Sequence, residues 1–488
     1  MPASVDFSGL WAYPKRYADL KNKDRVLRIS NTLSGRLEEF QPLVANRVQM
    51  YTCGPTVYDF AHIGNFRTFV FEDILKRFLK FKGFEVMHVM NVTDVDDRTI
   101  RNSGATEPRK LREYTDRFTQ AFLEDCQSLR IEKPDLLVRA TDHIDDMVAM
   151  ILRLKAKGYT YEQDGSTYFK ISQFKDYGKL SKLDVAGIRP GARVDVDEYE
   201  KQDARDFVLW KAAKTGEPYW DSPLGPGRPG WHIECSAMST KYLGASFDLH
   251  CGAVDLIFPH HENEIAQSEA DSGKPFVRYW VHGEHLLVEG EKMAKSKGNF
   301  FTLRDLVSRD ISPSAVRYTL LSVPYKRQLN FSFDAVRQAE SSLQRIEDCL
   351  LRLTTESLKP GRNETIQACC AETLQRFAQA LDDDLNTAQA LAAAFDLVRD
   401  VNAALAESAL HDENRPEVLD TMVRMNEVLN LWAVPDLTLD DQVRVLIEER
   451  NRARQARNFA LADQIRNQLH EMGYTMEDTK EGVRWKKH

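Results

Sequence analysis

The chain is poor in the features that would place it in a membrane or an oxidising compartment. No apolar run approaches the ~20 residues that span a bilayer, and the opening MPASVDFSGLWAYPKRYADLKNKD lacks the apolar block of a secretory signal. Asp6, Asp19 and Asp24 in that stretch also argue against an organellar transit peptide. Cysteine is scarce: seven in 488 residues, an odd number, suits reduced thiols rather than a disulfide framework. Each thiol is then a metal ligand, a nucleophile or a core filler. Internal repeats and low-complexity tracts are missing as well. A cytoplasmic protein with no membrane partner is the expectation.

Positive charge is outnumbered, 66 Lys/Arg against 74 Asp/Glu. A net charge of -8 argues against indiscriminate binding to nucleic acid, and no DNA partner is expected. The tail differs, because Gln442 to His488 carries ten Lys/Arg against seven Asp/Glu, and RNRARQAR at 450–457 holds four arginines without an acid. A local basic surface on an acidic chain suits one particular polyanion, although the same run also reads as an ordinary arginine-rich helix face.

What is present is enough for several cores, with 42% hydrophobic and 29% charged residues. RVQMYTCGP (47–55) reads as a strand stopped by Gly-Pro. FRTFVFEDILKRFLKFKG (66–83) repeats its apolar residues at helical spacing, and FEVMHVMNVTD (84–94) is a second strand. Strand, helix, strand predicts a βαβ unit in a parallel sheet whose ligands gather at the strands' carboxyl ends. A helical region near 107–130 follows. Residues 140–228 then mix a helix (HIDDMVAMILRLKAKG), a short β-like run (GSTYFKI) and turn-rich pieces, GIRPGARV and SPLGPGRPG. Sheet pattern resumes in SFDLHCG and VRYWVHGEHLLVEG, and beyond Ser332 the pattern is almost wholly helical until PDLTLDD breaks it.

Three short stretches carry chemistry. In FPHHENEIAQ (258–267), a helix entered through Pro259 sets His260 and Glu264 one turn apart, a spacing that can grip a metal. The stretch also reads as a solvated first turn with acids near the positive end of the helix dipole. In AHIGN (61–65), a helix start offers free N–H groups to a phosphate; His62 and Asn65 add donors, and Gly64 admits a flat group close to the backbone. KMAKSKGN (292–299) places Lys292, Lys295, Ser296 and Lys297 on a glycine-ended loop able to close over a triphosphate.

HIGN and KMAKS together resemble the two signatures of class I aminoacyl-tRNA synthetases, His-Ile-Gly-His and Lys-Met-Ser-Lys-Ser. MYTCGPTVYD, NVTDVDD, RPGWHIECSAM, DLIFPHHENEIAQS and ADQIRNQLHEMGYTMEDTKEG narrow the likeness to the cysteinyl-tRNA synthetase family, over about residues 25–488. The resemblance implies an α/β fold: a doubly wound parallel-sheet, Rossmann-type catalytic domain with an insertion, then an α-helical bundle and a small C-terminal module. The corresponding boundaries are an N-terminal extension at 1–24, catalytic halves at 25–140 and 229–331, an insertion at 141–228, a tRNA-binding bundle at 332–435 and an anticodon-binding module at 436–488.

It also implies zinc held by Cys53, Cys235, His260 and Glu264, a choice between His260 and His261 that spacing alone does not make. Gly54, Thr93, Trp231 and Asp255 would surround the amino acid. His62, Gly64, Asn65, Lys292, Lys295 and Ser296 would hold ATP, with Mg2+ travelling with the nucleotide, and His62, Asn65, Lys292 and Lys295 would stabilise transfer. The partners implied are tRNA(Cys), ATP and L-cysteine, and a monomer is expected. Asn65 and Ala294 depart from the family signatures, the first removing a titratable group and the second a hydroxyl. The rival readings are a cysteine ligase acting on an amino sugar, against which the long basic tail speaks, and a noncatalytic RNA-binding paralogue, against which the retained lysines and metal donors speak.

Overall fold

The computed structural model describes residues 26–182 and 206–433, and most of 446–487. The extension at 1–24, GIRPGARV, PDLTLDD and the end of the arginine run lie outside the described residues. Contacts divide the chain into two compact units, one reaching to Phe333 and including Leu381–Thr387, the other Asp334–Ala380 with Ala388 onward.

The first unit is built on five parallel strands, β1 (Arg47–Thr52), β2 (Glu85–Val92), β3 (Leu136–Arg139), β4 (Phe247–Ala253) and β5 (Val277–Gly283). Their order across the sheet is β5-β4-β1-β2-β3. The central strands are buried almost along their length, which is why they read as near-continuous apolar runs rather than alternating ones. The order reverses between β1 and β4. Right-handed crossovers therefore put α1 (Ile63–Phe81), between β1 and β2, on one face, and α4 (Glu262–Ser272), between β4 and β5, on the other. A reversal of this kind is where open α/β sheets place their ligands, beyond the carboxyl ends of β1 and β4. Two further helices matter for the site: α2 (Pro108–Ser128) links β2 to β3, and α3 (Trp231–Leu243) leads into β4.

Helix α1 begins at Ile63, three residues before the predicted Phe66, because the HIGN turn is itself a cap. The His62 ring accepts the Asn65 N–H at 3.2 Å while Asn65 Oδ1 accepts the His62 N–H at 3.1 Å. At the other end Gly83 takes φ +89°, and the Phe84 N–H returns to the Leu79 carbonyl at 3.0 Å, closing the helix. Asp73 of α1 forms a fully buried ion pair with Arg317 at 2.5 Å, tying α1 to the helix Pro313–Leu321.

The insertion is a four-stranded antiparallel sheet, Thr160–Gln163, Ser166–Phe169, Phe207–Ala212 and Gly227–Pro229, paired in chain order. Only the second of these matches the β-like run the sequence displays; the others are three to six residues long and carry too little periodicity to stand out. The second unit is helical through most of Phe333–Thr355, Glu364–Asp382, Thr387–Ala406 and Arg415–Leu429. Its last elements are the helix Phe459–Glu471 and an antiparallel hairpin, Tyr474–Thr479 with Gly482–Lys487, which the sequence pattern had not revealed.

Candidate functional site at the reversal of the sheet

Four donors from three separated segments meet at the reversal. Cys53 lies one residue past β1, Cys235 in the second turn of α3, and His260 and Glu264 one turn apart where the chain enters α4. Gly230, just before α3, fits only because it has no side chain: a Cβ there would fall 2.1 Å from the Val208 carbonyl oxygen. This close packing on the insertion strand Phe207–Ala212 fixes where α3 begins. Phe258 is extended and its bond to Pro259 is cis, and the helical path starts beyond that corner, so entry through Pro259 holds.

The ligand atoms of Cys53, Cys235, His260 and Glu264 all lie within 4.8 Å of one another, and all four residues are buried. The two sulfurs are 4.0 Å apart. A tetrahedral zinc at ~2.3 Å from each would separate them by roughly 3.8 Å, so the pair is already spaced for an ion. His260 Nε2 stands 3.1 Å from Glu264 Oε1. A second quartet, Cys53, His250, His261 and Glu264, meets the same distance limit and shares two members with the first, so one ion at most can use both. The first set is favoured by its two thiolates and by what its neighbours do. His250 Nε2 stands 3.0 Å from Glu264 Oε2, leaving Oε1 to face the centre, and His260 Nδ1 meets His232 Nδ1 at 2.9 Å, fixing the ring.

Burial dominates the electrostatics. It lowers His260 to about 3, with His250 and His282 also near 3, so these imidazoles are neutral. It raises Glu264 to about 8 against the opposing pull of His260, and pushes the Cys53 and Cys235 thiols up. A pocket that penalises each anion singly, yet gathers three anionic donors, has the chemistry of a cation site.

The structure also places the remaining predicted residues. Trp231 stacks on the His260 ring at 4.2 Å between centroids. The Gly54 N–H and the buried Thr93 hydroxyl join a hydrogen-bond chain through Asn91, while Asp255 is exposed in the short turn after β4. The two signatures come together: the Ile63 N–H donates to the Phe301 carbonyl at 3.0 Å, and the His62 and Phe300 rings meet edge-on at 5.1 Å. Gly64 lies under Met293, whose Cε a Cβ would approach to 3.0 Å. Lys292 sits on a two-residue strand and Lys295 and Ser296 in the 3-10 turn that follows; Asn299 shapes this loop by accepting the Ala294 N–H at 2.8 Å.

Beside the expected ligands, the sequence reading assigns no role to Glu262, Asn263, His232, His250 or His282. His261 Nε2 is 3.3 Å from Cys53 Sγ, and its Nδ1 meets His282 Nε2 at 2.8 Å. Glu262 accepts from the Gly178, Leu180 and Ser181 amides, and Asn263 accepts from the Tyr177 hydroxyl, so both fasten the insertion to α4. The missed signal was a histidine inside an apolar strand, in FDLHCG and again in RYWVHG. In the tail, Arg450 is buried whereas Arg452 and Arg454 are exposed, so the basic run is only partly surface.

Comparison with known proteins identifies the family. Residues 39–341 match the family described as "tRNA synthetases class I (C) catalytic domain", 376–433 a "DALR domain", and 436–485 the "Cysteinyl-tRNA ligase anticodon binding domain". A cysteine--tRNA ligase of Solibacter usitatus is 52% identical over 465 residues, covering 95% of this chain and all of that protein. One from Koribacter versatilis is 50% identical over 494 residues, again covering 95% and 100%. Among solved structures, Mycobacterium tuberculosis methionyl-tRNA synthetase in complex with methionyl-adenylate shares the fold, with a TM-score of 0.57 at 17% identity over 79% of this chain and 90% of that one. The chain therefore belongs to the cysteine--tRNA ligase family of class I aminoacyl-tRNA synthetases.

Proposed function

We propose that the chain activates L-cysteine with ATP and transfers it to the 3' end of tRNA(Cys), and that it does so in the cytoplasm as a monomer. The observation that carries this reading is the quartet Cys53, Cys235, His260 and Glu264, gathered at the reversal of the sheet, with Cys53 on the same β1–α1 loop that ends in HIGN. We assign zinc to it. Held by these four residues, zinc would supply a Lewis acid with a preference for a thiolate sulfur that a serine hydroxyl does not match. A pocket of the right size alone separates such isosteres by only about 100-fold.

Trp231, stacked on His260, walls the side-chain pocket, and Gly54, Thr93 and Asp255 surround the amino acid's backbone. In the first step the cysteine carboxylate attacks the α-phosphorus of ATP in line and pyrophosphate leaves. Because His62 Nδ1 accepts the Asn65 amide, its proton sits on Nε2, where it can donate to a phosphate oxygen. Asn65 spends its carbonyl oxygen on the cap and keeps its amide hydrogens for the nucleotide. Gly64 admits the nucleotide close to the backbone. Lys292, Lys295 and Ser296 act from the loop side, and Mg2+ enters with ATP. In the second step the terminal adenosine hydroxyl of the tRNA attacks the activated carbonyl and AMP leaves. The helices of 332–435 would carry the tRNA body, and 436–488 would read splayed anticodon bases.

Cysteine-dependent exchange between ATP and pyrophosphate, followed by transfer of labelled cysteine to tRNA, tests the reading. Exchange with charging is expected. No exchange contradicts the enzyme, and exchange without charging of tRNA contradicts the acceptor.

A further inference from the structure

Between the two metal thiols runs a hydrogen-bonded path that includes Gly54 and Thr93, two of the residues placed around the amino acid, and joins them through Asn91. Gly54, the residue after Cys53, donates its N–H to Asn91 Oδ1 at 2.9 Å. Asn91 Nδ2 donates to Thr93 Oγ1 at 3.2 Å. The Thr93 hydroxyl donates to Glu234 Oε2 at 2.9 Å, and Glu234 immediately precedes Cys235. Asn91, Thr93 and Glu234 are all buried, at 1%, 2% and 0% exposure.

The direction of the first two links is forced. A backbone N–H can only donate, so Asn91 must turn its oxygen to Gly54 and its nitrogen to Thr93. Thr93 accepts that hydrogen and spends its own proton on the Glu234 carboxyl. Asn91 joins Gly54 to Thr93, and Thr93 carries the path on to Glu234. The fit at Asn91's other side is equally narrow, since a Cβ on Gly54 would fall 1.7 Å from the Asn91 carbonyl oxygen and 2.9 Å from Met90 Cγ. The end of β1 is therefore pressed onto the end of β2 at a distance that only glycine allows. Gly54 and Glu234 hold the residues that carry the sulfurs, and the sulfurs stand 4.0 Å apart.

We propose that Asn91 is a positioning residue for the metal centre: its side-chain amide locks the Cys53 segment to the Cys235 helix and so sets the separation of the two thiols. This rests on Cys53 and Cys235 being ligands. Asn91 touches neither the ion nor the substrate; it acts through the backbone of Gly54 and the hydroxyl of Thr93. The strand ends are also joined by backbone bonds independent of it, Thr93 N–H to Pro55 O and Val57 N–H to Thr93 O, both 3.1 Å, so its replacement leaves the sheet paired.

The test uses the full chain loaded with cobalt in place of zinc, whose thiolate-to-metal absorption reports both sulfurs directly. Asn91→Leu, close in volume and without donors or acceptors, is expected to weaken that band and to loosen metal binding by about 10- to 100-fold, as loss of an outer partner does elsewhere. KM for cysteine rises with it, while KM for ATP stays within about twofold. Thr93→Val, which keeps the shape and removes the middle link, is expected to give the same metal and spectral defect if Asn91→Leu does not fold. Unchanged cobalt absorption and metal affinity in the variants overturn the proposal, as do equal rises in both KM values. A parent protein that binds cobalt without any thiolate band overturns the ligand assignment itself, and the proposal with it.

Discussion

Cys235 is one of two sulfurs in a buried site, and its loss cannot be made good by a neighbour, since the alternative quartet draws on His261, engaged by His282, and on His250, engaged by Glu264. Cys235→Ser is predicted to lower bound zinc and to raise KM for cysteine about tenfold or more, with fold and ATP affinity retained. Metal analysis with steady-state kinetics checks this, and unchanged values would remove Cys235 from the site. Proton release gives an independent reading. Burial raises Glu264 to about 8 in the metal-free protein, so the carboxyl is protonated below that value and must lose its proton to bind an ion. Zinc affinity should therefore climb from pH 6.5 to 8.5, with the deprotonating thiols adding to the slope; a flat profile contradicts the assignment. These residues were legible to different degrees. The one-turn spacing of His260 and Glu264 is written in the sequence, but their junction with Cys53 and Cys235 depends on a topology that returns the chain about 200 residues later to the strand beside β1. The resemblance supplied that junction; spacing did not. His250 and His282 went unassigned because a strand's pattern shows that a residue is inside without showing what it faces.

At the scale of elements, the insertion is held to the catalytic sheet by Asp97, which follows β2 and takes both Lys211 and Arg228. Burial alone would raise this carboxyl, but the two cations outweigh it and hold it at about 2. A depressed carboxylate contributes fully above its ordinary value near 4 and loses its contribution as pH falls toward 2. The insertion should thus become protease-sensitive in that acid window in the parent protein, and already at neutral pH in Asp97→Asn. Equal proteolysis of the two proteins at neutral pH would show the tie to be idle. The long elements, β1, α1 and β2, were readable because each carries its apolar pattern over six or more residues, and β1 and α1 also end on a Gly-Pro or Gly signal. The insertion was not, because its strands are short and pair through residues distant in the chain. The early start of α1 was hidden in a motif read for its chemistry, although His62 and Asn65 stand at the positions a capping box requires.

At the scale of the whole molecule, an acidic chain binds a polyanion through a local surface, and the described tail offers Arg452 and Arg454 exposed but Arg450 buried. Replacing Arg452 and Arg454 with Ala is expected to raise KM for tRNA several-fold, about one phosphate contact each in the salt dependence, while cysteine-dependent exchange is unaffected. A parallel loss of exchange would mean that the arginines support the fold rather than the acceptor. Among the described residues no helix is long and apolar enough to cross a membrane. The claim on which the rest depends is that the ion at Cys53, Cys235, His260 and Glu264 selects cysteine by its sulfur. The most direct test is ATP–pyrophosphate exchange with cysteine and with serine, before and after removal of bound metal. Cysteine exchange should collapse on removal and return with zinc, while serine exchange stays low throughout. Cysteine exchange that persists unchanged in metal-free protein would contradict the account.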